Sequence, residues 1–268
     1  MAGAAQLVKA VVLAGSRPGA VDPVAAYAGV AHKALIELDG ATLLARVVEA
    51  LRGAGCEAAV SANAPEVVAQ AERLGLPVLP TEAGPSASVG RALVELGTPL
   101  LVTTADHALL EPEWVRRFVV DVPANADVAV LLARRESIEA ALPGTRRTYL
   151  RFADGNWSGC NLFLLRTPAA ARAIDLWRLV EADRKRPWRI VRRFGLRMLM
   201  RYLLGRLTLA AAVARLGELA GVRAAVVESP FGLAAVDVDK PEDLEAVREL
   251  TRNPLPLSRG RDSGAAAG

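Results

Sequence analysis

The sequence predicts an α/β fold: a doubly wound, mostly parallel sheet of the Rossmann-like kind, with a helical insertion toward the C-terminus. Short apolar runs alternate along the chain with amphipathic helical patterns, which is the order of a sheet covered by helices on both faces. Aromatic residues make up only 4% of the 268 residues while Ala, Val and Leu are abundant, a composition that suits helices packed on a parallel sheet. The length fits one large domain.

Apolar runs with the length of buried strands recur along the chain. They are Lys9–Ala14, Glu57–Ala62, Pro77–Leu79, Pro99–Thr104, Asp127–Ala133, Cys160–Leu165 and Val222–Glu228. Segments with helical periodicity lie between them, at Thr42–Ala54, Pro65–Leu74, Ser86–Leu96, Pro112–Val120 and Pro168–Ala182. Thr42 and Pro112 are typical helix starts, and Gly53, Gly55 and Gly97 are typical stops.

The C-terminal third departs from this alternation. Residues 188–221 predict two helices joined near Gly205, with Thr208 as the N-cap of the second. We therefore expect one domain over residues 1–252, with an insertion at 184–221, and a disordered tail over 253–268.

Several features of the sequence bear on the cellular compartment. The chain begins without a basic leader before its apolar run. No apolar stretch reaches the ~18 residues of a spanning helix. Cys56 and Cys160 stand far apart, as buried thiols of a reducing compartment do. These features predict a cytoplasmic protein.

The formal net charge of +4 is unevenly distributed. Residues 172–206 contain eleven Arg or Lys and three Asp or Glu, and Arg189, Arg193, Arg197 and Arg201 recur every four residues. This spacing predicts a basic row along an otherwise apolar helix. Two interpretations stay open: a solvated face over a packed helix, or peripheral contact with an anionic membrane or an acidic partner. The low aromatic content argues against a nucleic-acid partner.

The stretch VVLAGSRPG, residues 11–19, takes an apolar strand directly into a small cationic loop, and HKALIELDG follows at residues 32–40. A glycine-rich turn at a strand end lets backbone N–H groups approach phosphates, and Arg17 and Lys33 add positive charge. The loop matches neither GxxxxGK[ST] nor GxGxxG, which excludes a P-loop and a Rossmann dinucleotide fingerprint. For this stretch alone, an ordinary turn stays open.

The stretch LLVTTADHALL, residues 100–110, is an apolar strand that ends in Asp106. A carboxylate at the end of a buried strand is costly without a partner, and a divalent cation is a natural one. The alternative is a capping role before the helix that begins at Pro112. We interpret His107 as a loop residue rather than as a catalytic base.

Two later stretches carry further polar groups. GNWSGCNLF, residues 155–163, places Asn161 and other small polar side chains ahead of a strand, which suits either a pocket for a polyhydroxylated acceptor or a polar hairpin. In AAVDVDKPEDLEAV, residues 234–247, Asp237 and Asp239 alternate, so one of them can face a site while the other faces away. The helix that opens at Pro241 has acids in its first turn, where the helix dipole favours them.

Taken in order, LAGSRPG with HKALIELDG, TTADHALL and VDVDKPEDL resemble the motifs of the MobA-like nucleotidyltransferases, members of the wider GT-A-like fold group. The resemblance covers about residues 8–166 and 222–250, and the basic helical pair lies outside it. It implies transfer of a nucleoside monophosphate from an NTP to a phosphorylated small molecule, with release of pyrophosphate. Mg²⁺ is the implied cofactor, and the NTP and the acceptor are the implied partners.

The resemblance also implies roles for individual residues. Arg17 would neutralise the triphosphate, Lys33 would hold the acceptor or the α-phosphate, and Asp106 would ligate Mg²⁺ together with Asp237 or Asp239. The remaining implied binding residues would wrap the triphosphate or contact base, ribose or acceptor: Leu13, Ala14, Gly15, Ser16, Ser86, Ser88 and Asn161. The family's usual LAGGxSxRMGxxK has a double glycine and a shorter spacer, so the identity of the base does not carry over.

Two other functions stay open at this point. A GT-A glycosyltransferase shares the fold, and Asp237–Asp239 spells DxD, but such a motif normally follows the central strand, where this chain has TADH. The second alternative is a catalytically degenerate domain that acts as a regulator or as a membrane-surface adaptor. The retention of Lys33, Asp106 and the late aspartates argues against it.

Overall fold

A computed structural model of the chain describes residues 8–16, 19, 21–145, 147–182 and 195–253. Its strands are β1 Val8–Ala14, β2 Glu37–Leu38, β3 Ala41–Thr42, β4 Cys56–Ala62, β5 Val78–Leu79, β6 Leu100–Thr104, β7 Val128–Arg134, β8 Leu150–Phe152, β9 Gly155–Leu165 and β10 Ala224–Ser229. All the apolar runs predicted as strands are strands. The last two have shifted bounds, since β9 begins at Gly155 and β10 at Ala224.

The central sheet has eight strands, in the order β10-β7-β9-β6-β1-β4-β5, with β8 paired to β9. The pairs of β1 with β4 and β6, of β4 with β5 and of β7 with β10 are parallel. Strand β9 runs antiparallel to β6, β7 and β8. The prediction of a mostly parallel α/β sheet is confirmed. Strands β2 and β3 form a separate small ribbon.

The helices of the described residues are α1 Pro23–Tyr27, α2 Leu43–Gly53, α3 Pro65–Arg73, α4 Pro85–Leu96, α5 Pro112–Asp121, α6 Arg135–Ala141, α7 Ala171–Ala182, α8 Leu196–Leu203, α9 Leu209–Ala220 and α10 Pro241–Arg252. The predicted N-cap Thr42 is confirmed, because its Oγ1 accepts a hydrogen bond from the backbone N–H of Ala45 at 3.1 Å. Helix α4 stops before Gly97, whose φ of +77° favours glycine. None of the helices in the described ranges is long and apolar enough to cross a membrane.

Helices cover both faces of the sheet because neighbouring strand residues point to opposite sides. Val12 of β1 belongs to the core beneath α2, α3 and α5, whereas its neighbour Val11 belongs to the core beneath α4 and α7. Both valines are fully buried. A third apolar cluster, formed by residues of α1, β2 and α10, lies around Val236 and Val238. It packs the segment that follows Lys33 against the segment that leads to Asp239.

The predicted pair of helices in the insertion is present in its described part. Thr208 is the N-cap of α9, as predicted, and its Oγ1 accepts from the N–H of Ala211 at 3.3 Å. Leu209 packs with Leu132 and Trp157 of the sheet. Arg189 and Arg193, like all of residues 183–194 and the tail from 254, lie outside the described residues. The single-domain boundary and the tail therefore stay predictions.

Candidate active site

A cleft of about 1120 Å³ opens at the carboxyl edge of the parallel strands. Its lining comes from the ends of β1, β4 and β6, from the segment that joins β5 to α4, and from α7. The ends of β6, β1, β4 and β5 lie side by side in the sheet, so the floor of the cleft is about 14 Å wide at ~4.8 Å per strand. We call the end at Lys33, Asp106 and Asp239 the lysine end, and the end at Ser86, Ser88 and Glu181 the serine end.

Lys33 is presented by a short 3₁₀ turn, Lys33–Leu35, which His32 caps by accepting a hydrogen bond from the N–H of Ala34 at its Nδ1. The Lys33 Nζ lies 2.5 Å from Asp106 Oδ2 and 3.2 Å from Asp239 Oδ1. Burial alone would lower the pKa of Lys33, but the attraction of these two carboxylates and their hydrogen bonds raise it above its ordinary value. The Lys33 side chain is therefore protonated at neutral pH.

Asp106 follows β6 directly, as predicted, and its backbone O accepts a hydrogen bond from the N–H of Val238 at 3.1 Å. This bond ties the end of β6 to the segment that carries Asp239. The Oδ1 atom of Asp106 is buried, and none of the described residues donates a hydrogen bond to it. The pKa of Asp239 is raised, first by burial and then by the charge of Asp237, against the opposing attraction of Lys33. Capping of α5 by Asp106 is excluded, because Glu111 is the N-cap of that helix.

Asp237 faces a different set of partners. Its Oδ1 accepts from Arg147 Nη1 at 2.7 Å and its Oδ2 accepts from Asn161 Nδ2 at 2.9 Å. Asn161 has a φ of +48° and lies where the register between β7 and β9 shifts, a local irregularity of the kind that redirects a side chain. The structure thus joins the predicted residues Asn161 and Asp237 to each other.

The loop after β1 is held by contacts with residues that follow β4 and β5. Asn63 brackets Ser16, accepting from its N–H at 3.0 Å and donating to its O at 2.9 Å. A Cβ on Gly15 would lie 2.8 Å from the methyl carbon of Thr81, so only glycine permits this close approach. Leu13 lines the cleft with Gly15 and Ser16, and Ala14 belongs to the buried core. Arg17 lies outside the described residues.

At the serine end, a carboxylate from α7 meets the first turn of α4. Glu181 Oε2 accepts from Ser86 Oγ at 2.5 Å and from the Ser86 N–H at 3.3 Å. Ser88 Oγ accepts from the N–H of Glu82 at 2.9 Å. A Cβ on Gly84 would collide with the Glu181 carboxylate. Both serines are buried and line the cleft.

Sequence reasoning missed three residues that organise the site: Asn63, Arg147 and Glu181. Asn63 comes directly after the strand β4, a position that strand-end reasoning could have found. Arg147 and Glu181 carry no local signal, because their partners lie 90 and 95 residues away along the chain.

The capacity of the site for a metal rests on two carboxylates. Over the residues that the structure describes, no group of three or more His, Cys, Asp or Glu side chains is arranged to hold a metal ion. Asp106 and Asp239 face the ammonium of Lys33 from two different segments of the chain. Mg²⁺ is typically bound through one or two carboxylates together with substrate phosphates, so these two carboxylates are the candidate ligands. His107 is buried, which lowers its pKa to about 4, and it does not line the cleft.

Comparisons with known proteins bear on the family and the fold of the chain. A family model described as the MobA-like NTP transferase domain matches residues 10–193. A hypothetical transferase from Thermus thermophilus is 34% identical, with a TM-score of 0.77 over 89% of this chain and 99% of that chain. No curated protein sequence matches the chain.

Two more distant structures share the fold. A nucleotidyl transferase from Methanothermobacter is 21% identical, with a TM-score of 0.54 over 92% of this chain and 98% of that one. The CTP:phosphocholine cytidylyltransferase of Streptococcus pneumoniae is 13% identical, with a TM-score of 0.55 over 91% and 99%. At these identities the likeness concerns the fold alone.

Proposed function

The chain belongs to the MobA-like NTP transferase domain family, and from that premise we propose that it is a Mg²⁺-dependent nucleotidyltransferase. It transfers a nucleoside monophosphate from an NTP to a phosphorylated small molecule and releases pyrophosphate. The observation that carries this proposal is the cation of Lys33 between Asp106 and Asp239 at the mouth of a cleft large enough for a nucleotide.

The chemistry needs no nucleophilic side chain. An oxygen of the acceptor phosphate attacks the α-phosphorus in line, one P–O bond forms, and the bond to the leaving pyrophosphate breaks. Because the attacking oxygen is already anionic, no proton has to be removed. Catalysis then depends on holding the reactants in line and on neutralising the negative charge of the phosphates. The raised pKa of Lys33 keeps its ammonium charged for this purpose.

The residues at the lysine end fit a Mg²⁺ ion. The buried and unpartnered Oδ1 of Asp106 is a ligand position that no protein group uses, and Asp239 offers a second oxygen. When bound, the ion would supply charge neutralisation at the phosphates. Asp239 is our choice over Asp237 for the second ligand, because both oxygens of Asp237 already accept hydrogen bonds from Arg147 and Asn161.

We assign the nucleobase to the serine end and the acceptor to the side of Arg147 and Asn161. The loop at Gly15 and Ser16 lines the same cleft as both ends. Our proposal puts the phosphates at this loop, because a glycine-rich strand exit lets phosphates approach the backbone. The Glu181 carboxylate accepts hydrogen bonds only, so it favours a base with an exocyclic amino group.

The test is a matrix of the four NTPs against phosphorylated alcohols and sugars, read by pyrophosphate release with and without Mg²⁺. We expect release with at least one pair and only when Mg²⁺ is present. The Asp106→Asn variant should lose this activity while its melting temperature stays near that of the wild type. Asp175→Asn, which removes an exposed carboxylate of α7, is the matched control.

A binding readout separates a wrong acceptor from a wrong function. An NTP that binds the native state raises its melting temperature by mass action. If no NTP stabilises the wild type in the presence of Mg²⁺, the proposal fails whatever the acceptor. Release of a sugar from a nucleotide sugar would indicate a glycosyltransferase instead.

A further inference from the structure

Several apolar side chains are exposed to solvent where the helix α8 lies next to the hairpin of β8 and β9. The exposed fractions are 68% for Leu203, 59% for Leu204, 48% for Tyr202 and 47% for Met200. Tyr202 packs edge-on against Phe152 of β8, with ring centroids 6.3 Å apart. We call this area, from Arg197 to Arg206 together with Arg151 and Phe152, the hairpin–helix surface.

The charge of this surface has one sign. Residues 195–217 contain four arginines and no Asp or Glu. Arg197 and Arg201 lie four residues apart on α8, and helical geometry places Met200 and Leu204 beside them. Arg206 is also exposed. Exposed apolar and basic side chains are thus mixed on one helix face, rather than separated into a buried and a solvated side.

A shallow cleft of about 300 Å³ lies within this surface. Arg151 and Phe152 line it from the hairpin, and Tyr202, Leu203 and Gly205 line it from the helix side. The N–H of Ala153 donates to the O of Leu207 at 2.8 Å and ties the two walls together. The cleft is therefore part of the folded body, with a cationic side chain on one wall and apolar side chains on the other.

The hairpin–helix surface lies at the same edge of the sheet as the active site. Strand β9 is antiparallel to β6 and β7, so its first residue, Gly155, lies at the carboxyl edge of those strands. Asp106 lies at the same edge, directly after β6. A planar partner that covers the hairpin–helix surface would consequently face the side of the molecule on which the reaction cleft opens.

We propose that the hairpin–helix surface docks onto an anionic lipid bilayer. A helix with arginines next to exposed leucines and an aromatic residue suits the membrane interface, where apolar side chains enter the headgroup boundary and arginines meet lipid phosphates. An acidic protein or a nucleic acid would match the charge but not the exposed leucines. Docking is a property of this surface and does not depend on the proposed function.

The test is co-sedimentation of the full chain with vesicles of phosphatidylcholine containing one quarter phosphatidylglycerol. We expect binding at about 0.05 M salt, loss of binding at about 0.5 M salt, and no binding to pure phosphatidylcholine. The triple variant R197Q/R201Q/R206Q should lower the partition coefficient about a hundredfold. The double variant L203S/L204S should lower it at least about tenfold, because it removes the apolar part of the surface.

The matched control is R73Q/R91Q/R117Q, which removes the same charge from the exposed surfaces of α3, α4 and α5. We expect it to bind vesicles within about threefold of the wild type. The melting temperature and the far-UV circular dichroism of the triple and double variants should match those of the wild type, which shows that they fold.

Three results would overturn the proposal. They are no binding of the wild type to anionic vesicles at low salt, an equal loss of binding in the control, and a dimer in solution that L203S/L204S dissociates while vesicle binding stays absent. The last result would assign the surface to a second copy of the chain.

Discussion

The two ends of the cleft hold their acidic groups in different ways. At the lysine end, Asp106 and Asp239 share the ammonium of Lys33. At the serine end, Glu181 is held by the hydroxyl and the N–H of Ser86. One end is an ion-pair cluster, whereas the other pairs a carboxylate with neutral donors.

This difference indicates which protein contacts a ligand can replace at each end. The lysine cluster has a cation that can turn from carboxylates to phosphates, and it has an unpartnered Asp106 oxygen for a metal. Losing Lys33 leaves the nearly buried carboxylate of Asp106 as an unbalanced charge, which is costly. At the serine end, an amino group of the ligand only has to replace neutral donors. We therefore expect substitutions there to change kcat/KM less than substitutions at the lysine end.

The largest effect is expected for Lys33→Met, because it removes the cation that faces both carboxylates. We expect kcat/KM for pyrophosphate release to fall about a thousandfold, as for the loss of a transition-state donor. Lys9→Met is the control, since Lys9 lies at the opposite end of β1 and donates to Leu96 O. A fall below about threefold would remove Lys33 from the mechanism and with it the contrast between the two ends.

The two late aspartates give the next largest difference. Asp239→Asn should lower kcat about a hundredfold and raise the Mg²⁺ concentration needed for half-maximal rate, because it removes a ligand. Asp237→Asn should cost about tenfold, through loosening of Arg147 and Asn161. Equal effects on the Mg²⁺ requirement would contradict the assignment of Asp239 as the ligand.

The dependence of activity on pH tests the same assignment of the two late aspartates. The pKa of Asp239 is raised by burial and by the negative charge of Asp237, and its ionised form is the one needed. Activity should therefore fall on the acid side as Asp239 takes up a proton. Removing the charge of Asp237 lowers the pKa of Asp239, so the acid limb of Asp237→Asn should move to lower pH. A limb that moves to higher pH, or that does not move, would show that another group controls it.

At the lysine end the sequence indicated every residue of the cluster, and at the serine end it indicated Ser86 and Ser88 but not Glu181. Asp106 lies two residues after an apolar strand, so its position at the sheet edge follows from strand direction. Asp239 is indicated by its place just before a helix start, and Lys33 by its positive charge in the stretch after the glycine-rich loop. Ser86 could be named from its motif, but its partner Glu181 is brought to it only by the packing of α7 against α4.

The direction of β9 is a second limit of sequence reasoning. The apolar pattern of residues 160–165 is the same for a parallel and an antiparallel strand, because alternation carries no direction. What reverses β9 is the tight hairpin with β8, in which Phe152 pairs with Gly155. The polar stretch at residues 155–163 is thus part of that hairpin strand, and Asn161 leaves its ladder to donate to Asp237.

The smallest effect is expected at the serine end, and it tests whether this end recognises a base. Glu181→Gln keeps the size of the side chain and an oxygen that accepts from Ser86, but it replaces an acceptor oxygen with an NH₂ donor. A hydrogen bond to a charged acceptor is worth about 1.5–3 kcal/mol, so KM for the preferred NTP should rise about tenfold or more while kcat stays nearly constant.

The selectivity of the wild type among NTPs gives the decisive readout. A carboxylate accepts hydrogen bonds from the exocyclic amino group of a base, whereas uracil lacks this group and places carbonyl oxygens on either side of its single N3–H donor. Glu181→Gln should therefore narrow the ratio of kcat/KM between the preferred NTP and UTP, and Glu95→Gln, on the exposed side of α4, should leave it unchanged. If UTP is the preferred substrate, or if the ratio is the same in Glu181→Gln, the serine end does not recognise the base through this carboxylate. The two ends would then differ in how they hold their carboxylates, and the difference would say nothing about recognition of the base.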